Sequence, residues 1–469
     1  MRAVHIAEPE LQFGAGRNHI DPRVGLTDYG PPDFETPEAP KSVRLGILGQ
    51  RQDVASCREW ITDALSGLPQ RGSQFRNLFR AFPACDEYGP LRCDYSVVES
   101  LVHPIPRKDI TSALNLAEPE ATIQLTRLFA DHLRAMSESA SADVVVCVKP
   151  SAMAAPPDNG RSRNEPRPPE FHDLLKAKAM GASTHTQVVT ETLWTGKKTA
   201  KRGSTSPAQD AATRAWNLFP ALYYKAGGTP WRLPRSTTEL MTCFVGISFY
   251  ETLGRDSLHT SVAQVFNERG DGVVVRGGPA KISKQGRQPF LDEDAAHDLL
   301  VAALQRYRDT HLTSPARAVV HKTSRFRPEE VAGFRTAADE QSISVTDMVW
   351  IQRGSTYRLF RSGDHPPLRG TALETGTDEL TIYTRGMVPW YGTYPGMYVP
   401  SPIALRMEHV ETSPAELGAE VLALTKMNWN NSSLDGREPI TTHTARRVGT
   451  ILRHLTEHDP VQSRYSYFM

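Results

Sequence analysis

The sequence predicts an α/β fold in two domains, and three observations carry that expectation. The chain has 469 residues, more than the roughly 100–200 usual for one domain. Short apolar runs alternate with stretches of helical period, the pattern of a parallel sheet covered by helices. From Met241 onward the grammar changes, and three β segments follow closely before the alternation resumes. An apolar content of 39% supports a sizeable core and excludes a wholly disordered chain.

The first 40 residues hold turn clusters (GAGRN, YGPPDFETPEAP) and little periodicity, so residues 1–40 read as an arm. Val43–Leu48 is a short apolar strand, followed by a helix through Val54, Cys57, Ile61 and Leu65. Asp109–Ser137 reads as one long helical stretch, and Asp143–Val148 as a buried strand ending at Pro150. Five prolines between residues 151 and 170 mark a loop. A helix at 171–180, a strand at 185–190 and a basic loop (Lys197, Lys198, Lys201, Arg202) come next. The helix at about 208–225 contains Pro220, which should kink or restart it, and Gly227, Gly228 and Pro230 end it.

The β segments 241–250, 259–267 and 272–276 are the first of the second half, the last two joined by the turn NERGDG. Helix 292–309, strand 316–321, helix 328–339 and strand 342–352 follow, with further strands near 356–361 and 379–384 and helices at 413–425 and 440–456. Three antiparallel strands, then alternating helices and parallel strands, is the order of an RNase H-like domain. The boundary is expected near residue 235, dividing 41–235 from 236–469.

Charge excludes little. Lys and Arg number 54 against 53 Asp and Glu, so a polyanion could be held only by local basic patches. Five scattered cysteines form no disulfide framework, and no CxxC occurs. The N-terminal stretch MRAVHIAEPELQF has no apolar run of signal-peptide length, and no 18 apolar residues run together. A cytoplasmic location without membrane contact is the expectation. Walker A, HExxH, paired Cys/His and GxSxG patterns are all absent.

Six strings point elsewhere: YYKAGGTPWRL (223–233), CFVGISFYE (243–251), ARAVVHKTSRF (316–326), HPPLRGT (365–371), YGTYPGMYVPSP (391–402) and LTKMNWNNSSLDGREPIT (424–441). In order and spacing they resemble the MID–PIWI half of an Argonaute, and look like the short prokaryotic Argonautes that lack N and PAZ domains. The likeness implies a Rossmann-like MID domain followed by an RNase H-like PIWI domain.

An active PIWI domain holds two divalent cations with acidic side chains. Where the family reads G-I-D, this chain has Gly246-Ile247-Ser248, and where active members read H-R-D-G it has His321-Lys322-Thr323-Ser324. The last ligand place, an Asp or His in active members, falls at or beside Arg446. A hydroxyl carries no charge to hold Mg²⁺. Glu251 lies three residues along the strand from Ser248, on the opposite face, and Asp256 falls in a predicted turn. The resemblance therefore implies a chain without catalytic acids or catalytic metal.

The pocket for the guide 5′ end reads differently. By motif position His172, Lys176, Gln187 and Lys225 match the family's phosphate pocket, with His172 at a place often occupied by Tyr. His172 and Lys176 stand four apart on a helix and share a face, which alone would suit a solvated surface equally well. Lys225 also sits where a helix dipole favours a cation. The aromatic tail RYSYFM is expected to bury Tyr465, Tyr467 and Phe468, and to turn the Met469 carboxylate toward the pocket, where the family uses it to help hold a structural Mg²⁺. Arg369, Lys426, Asn428 and Asn430 are candidates for sugar–phosphate contacts that position a strand without reading it. LTKMNWNN can equally be a helix end with a capping Asn and a packed Trp429.

The resemblance implies a short guide RNA and a single-stranded DNA target as partners. It also implies a separate APAZ-containing protein bearing a SIR2 or TIR NADase or a nuclease. Target binding would activate that effector in defence against plasmids or phages; assembly into a higher oligomer on activation stays open. Two rivals remain: a PIWI endonuclease with relocated acids, and an Argonaute-fold scaffold without a guide.

Overall fold

The computed structural model describes residues 1–139, 141–153, 169–182, 184–199, 205–234, 239–253, 257–266, 272–284, 286–376, 378–396, 398–434, 436–456 and 458–469. Lys201, Arg202, Asp256, the proline-rich stretch 154–168 and most of the turn NERGDG lie outside them. The chain divides into two compact units.

Residues 26–230, with 454–462 and 466–469, form the first unit. Its sheet has four parallel strands in the order Asp94–Ile105, Ser42–Gln50, Val144–Val148, His185–Val189. Val144–Val148 is wholly buried, as its unbroken apolar run requires of a central parallel strand. Leu48, Cys147, Phe129, Leu133, Phe171 and Leu175 share one core between the sheet and helices Glu120–Ser139 and Phe171–Ala179. Helix Ala211–Lys225 starts on an Asp210 cap, whose carboxylate accepts from Thr213 N at 3.1 Å. Its Phe219 stacks on Phe82 at 5.1 Å.

Two expectations are corrected here, and one strand is added. The stretch 109–137 is two helices, Arg107–Leu114 and Glu120–Ser139, because a residue before proline (Pro119) avoids helical backbone. Pro220 lies inside one continuous helix, where buried Trp216, Phe219 and Leu222 outweigh the hydrogen bond that proline removes. Asp94–Ile105 is a 12-residue edge strand that the reading passed over.

The second unit comprises residues 1–25, 231–453 and 463–465. Its nine-stranded sheet runs in the order Arg2–His5, Thr371–Glu374, Glu379–Ile382, Ile403–His409, Val345–Gln352, Arg317–Lys322, Thr242–Glu251, Leu258–Phe266, Gly272–Pro279. Arg317–Lys322 pairs parallel with a neighbour on each side, and the outer pairs are antiparallel, as the RNase H-like order anticipates. Helices Glu293–His311 and Pro328–Glu340 bury Leu300, Leu304, Phe334 and Ala337 against the parallel strands. Helix Pro414–Leu424 covers the antiparallel half through Leu417, Val421 and Leu422. Helix Ile440–Leu452 comes down on Thr242–Glu251 at Gly246, where a Cβ would stand 2.3 Å from the Thr441 carbonyl oxygen.

The arm is not a separate body. Arg2–His5 pairs with Thr371–Glu374, and Asp21 and Arg23 form a buried ion pair at 2.7 Å. Trp390 and Tyr391, at the start of the YGTYPG string, contact that pair at 3.2 and 3.1 Å. Residues 26–40 belong to the first unit, and the division falls at 230/231. The segment 356–361 is not a strand, and strands Thr371–Glu374 and Ile403–His409, which flank Glu379–Ile382, extend the sheet instead.

Candidate functional site

In the first unit, three elements carry the expected phosphate pocket. Helix Phe171–Ala179 bears His172 and Lys176, strand His185–Val189 bears Gln187, and the last turn of Ala211–Lys225 bears Lys225. Lys176 and Lys225 are each only 1% exposed. The Lys225 ammonium donates to Gln187 Oε1 at 2.7 Å, and the Lys176 ammonium to the carbonyl of Thr186 beside it. Burial, reinforced by the Lys176 charge, holds Lys225 well below the ordinary lysine range. Two buried lysines close enough to repel each other make a place that favours a bound anion. His172, 30% exposed at its side chain, places Nδ1 3.2 Å from the Asp173 carboxylate.

His185 was not singled out in the sequence, yet it belongs to this cluster. Its Nε2 lies 2.9 Å from Ser466 Oγ, and Tyr467 stacks on its ring at 4.1 Å. The signal was available, because His185 and Gln187 alternate onto one face of their strand. The last residues thus dock on the strand that carries Gln187, with Phe468 and Met469 buried and Tyr467 half-buried. Tyr465 is buried in the second unit.

In the second unit, Ser248 and Thr323 meet at the ends of two adjacent parallel strands, their hydroxyls 3.4 Å apart. The two positions read from separate strings thus lie side by side. Glu251 is exposed at the strand end, paired in register with Leu258. Arg446 lies on helix Ile440–Leu452 with Nε 3.3 Å from Glu438 Oε2, and the Arg353 guanidinium holds the other oxygen of that carboxylate. Glu438, a buried acid the reading did not single out, is thus clamped by two guanidiniums. Among the described residues, no group of three His, Cys, Asp or Glu side chains could hold a metal ion.

The four expected strand contacts divide. Arg369 and Lys426 are buried, and both hold the Glu8 carboxylate, at 2.8 and 3.1 Å. Arg369 also donates to Thr425 Oγ1 at 2.8 Å and to the Leu422 and Thr384 carbonyls. Burial brings Lys426 down to about 8 even against Glu8. Burial alone would raise Glu8, but the two cations outweigh it and hold its pKa low. These charges pin the N-terminal segment rather than meet solvent, which corrects the expectation for both residues. Asn428 and Asn430 are half-buried. Asn428 lines a cavity of about 280 Å³ together with Arg353, Arg385, Asn431, Arg437 and His443. Of the three arginines only Arg437 falls within one of the six strings, and they stand far apart in sequence. Trp429 is packed, its Nε1 donating to the Trp231 carbonyl at 3.2 Å, as the bland reading of LTKMNWNN expected.

No family model matches this chain, and no curated protein matches it in sequence. Solved structures do. A Clostridium butyricum Argonaute bound to a guide DNA and a 19-mer target DNA superposes with a TM-score of 0.66 at 14% identity, over 97% of this chain and 53% of that one. Aa-Ago with externally bound siRNA gives 0.63 at 15% identity, over 99% and 55%. Drosophila Piwi gives 0.60 at 14% identity, over 99% and 56%. This chain therefore has the Argonaute MID–PIWI fold and spans about half the length of these neighbours.

Proposed function

We propose that this chain is a short Argonaute that holds the 5′ phosphate of a guide RNA and presents the guide to single-stranded target DNA. The observation that carries the reading is the convergence of Lys176, Gln187 and Lys225, two buried amines and an amide gathered in one place that an anion would favour. A lysine ammonium is a point charge suited to phosphate, and the Gln187 amide can donate beside it. A structural Mg²⁺ would sit beside the guide phosphate, since that ion takes one or two carboxylates together with phosphate oxygens. The Met469 carboxylate would be its protein ligand.

The chain itself would not cut. The paired hydroxyls of Ser248 and Thr323, with the Arg446 guanidinium salt-bridged to Glu438, favour binding over cleavage. Catalysis would then reside in an APAZ-containing effector with a SIR2, TIR or nuclease domain, switched on by target binding in defence against invading DNA. The guide–target duplex must favour the active state for this coupling to work.

Native purification through an N-terminal tag, with end-labelling of the bound nucleic acid, tests the reading. Short 5′-phosphorylated RNAs, lost in a Lys176→Ala/Lys225→Ala double variant, are the expected result, with the effector co-eluting. A partner without nucleic acid would favour the scaffold. Target cleavage by the lone chain, abolished by changing Glu251 or Asp256, would favour the nuclease.

A further inference from the structure

The second unit holds another cleft, of about 750 Å³, that shares no residue with the pockets described above. Arg325 and Arg327 reach it from the loop after strand Arg317–Lys322, and Arg335 from helix Pro328–Glu340. Arg406 comes from strand Ile403–His409. Pro328, Val331, Ala332 and Arg335 share one face of that helix, so an apolar floor ends in a charge. Glu408, 3.5 Å from Arg325, is the one carboxylate in the lining.

Four guanidiniums face two carboxylates, Glu408 in the lining and Glu379 at 3.4 Å from Arg406, which leaves a local excess of positive charge in a chain whose net charge is only +1. The cleft also has aromatic faces. Arg327 lies over the Phe290 ring at 4.7 Å, and Arg406 over Trp350, its cross-strand partner, at 5.3 Å. Planar guanidiniums and aromatic rings are the surfaces on which bases stack, and arginine is the side chain that grips phosphate with two parallel hydrogen bonds. The volume lies within the ~300–1,000 Å³ typical of small-molecule sites. Arg325 has a side chain 70% exposed and Arg335 is exposed, so both can reach a ligand without unpacking the core.

We propose that this cleft is a nucleotide-binding site. The base stacks on the open faces of the Arg327 and Arg406 guanidiniums, which Phe290 and Trp350 back from below, and the phosphate is held by Arg325 and Arg335. The nucleotide could be free in solution or one unit of a strand. Both sources share this chemistry, and the test separates them.

Binding of ADP and of a 5′-hydroxyl decathymidylate to the full chain is measured by calorimetry, in the wild type, in Arg325→Ala/Arg335→Ala and in Lys225→Ala. At least one probe should bind the wild type and weaken about tenfold or more in the double arginine variant. It should stay unchanged in Lys225→Ala. ADP binding identifies a free nucleotide as the ligand, and binding of the decathymidylate alone identifies a strand. The proposal is overturned if neither probe binds, if the arginine variant binds as the wild type does, or if binding is lost in Lys225→Ala instead. Because both arginines are exposed, the double variant should melt with the wild type, and Arg406→Ala supplies an independent variant that should weaken the same probe. Loss of guide loading with this binding intact would sink the guide reading and leave the cleft standing.

Discussion

Lys225 is buried beside a second ammonium, and its proton is therefore sensitive to whatever occupies the pocket. In the unfolded chain it titrates near ~10.4, whereas in the fold its value lies well lower. Between the two values the unfolded chain holds more protons, so this residue's contribution to stability is lost as pH falls from the unfolded value toward the folded one. A bound phosphate acts in the opposite sense and draws a proton onto Lys225. Affinity for a 5′-phosphorylated guide should thus weaken as pH rises across that window, and Lys225→Arg, charged throughout, should flatten the profile. Fluorescence anisotropy over a pH series checks this; a flat wild-type profile would count against it. Arg369→Ala should behave otherwise. It leaves the buried Glu8 carboxylate with Lys426 alone and empties the buried space of the guanidinium, so stability should fall by about 3–5 kcal/mol in urea unfolding, while the affinity of the folded fraction for a guide stays unchanged.

Helix Pro328–Glu340 is tied to strand Arg317–Lys322 by a fully buried ion pair, Lys322 with Glu330, at 2.5 Å. The same carboxylate accepts from Leu291 N and Arg327 N, both at 2.9 Å. Glu330→Ala leaves an ammonium in the core, and a loss of about 3–5 kcal/mol in the midpoint-derived stability is expected. Gly246→Ala should cost about 1–3 kcal/mol or more by pushing helix Ile440–Leu452 off its strand. Elements like these were legible where burial is complete: Val144–Val148 and Arg317–Lys322 announce themselves by unbroken apolar composition or by clean flanks. Asp94–Ile105 was not, because an edge strand exposes much of its length and its polar residues break the alternation. Residues 356–361 alternate like a strand, yet Phe360 is 87% exposed and nothing pairs with the segment. Arg369 and Lys426 looked like surface cations because the acid that holds them, Glu8, lies more than 360 residues upstream in the sequence, beyond the reach of any local pattern.

Across the whole molecule the charges nearly cancel, 54 against 53, so the proposed nucleic-acid affinity would come from a few placed cations rather than from a general field. The salt dependence of guide binding should accordingly be shallow. Removing Lys225 should lower its slope by roughly 0.7, the release expected for one phosphate contact on a single strand. A titration series in salt measures this directly, and an unchanged slope would remove Lys225 from the phosphate.

The edge of the nine-stranded sheet has a consequence in time. Arg2 and Glu374, paired across that edge through their side chains, are 372 positions apart. At roughly 5–20 residues per second of synthesis, the first strand waits on the order of 20–75 seconds before its partner has been made. During that interval Arg2–His5 is an orphan, and a ribosome that stalls before residue 374 yields a polypeptide whose sheet cannot be closed at this margin. Pulse-labelled chains should therefore show protease protection of the N-terminal segment as one of the last events of maturation, well after the Val144–Val148 sheet has become resistant.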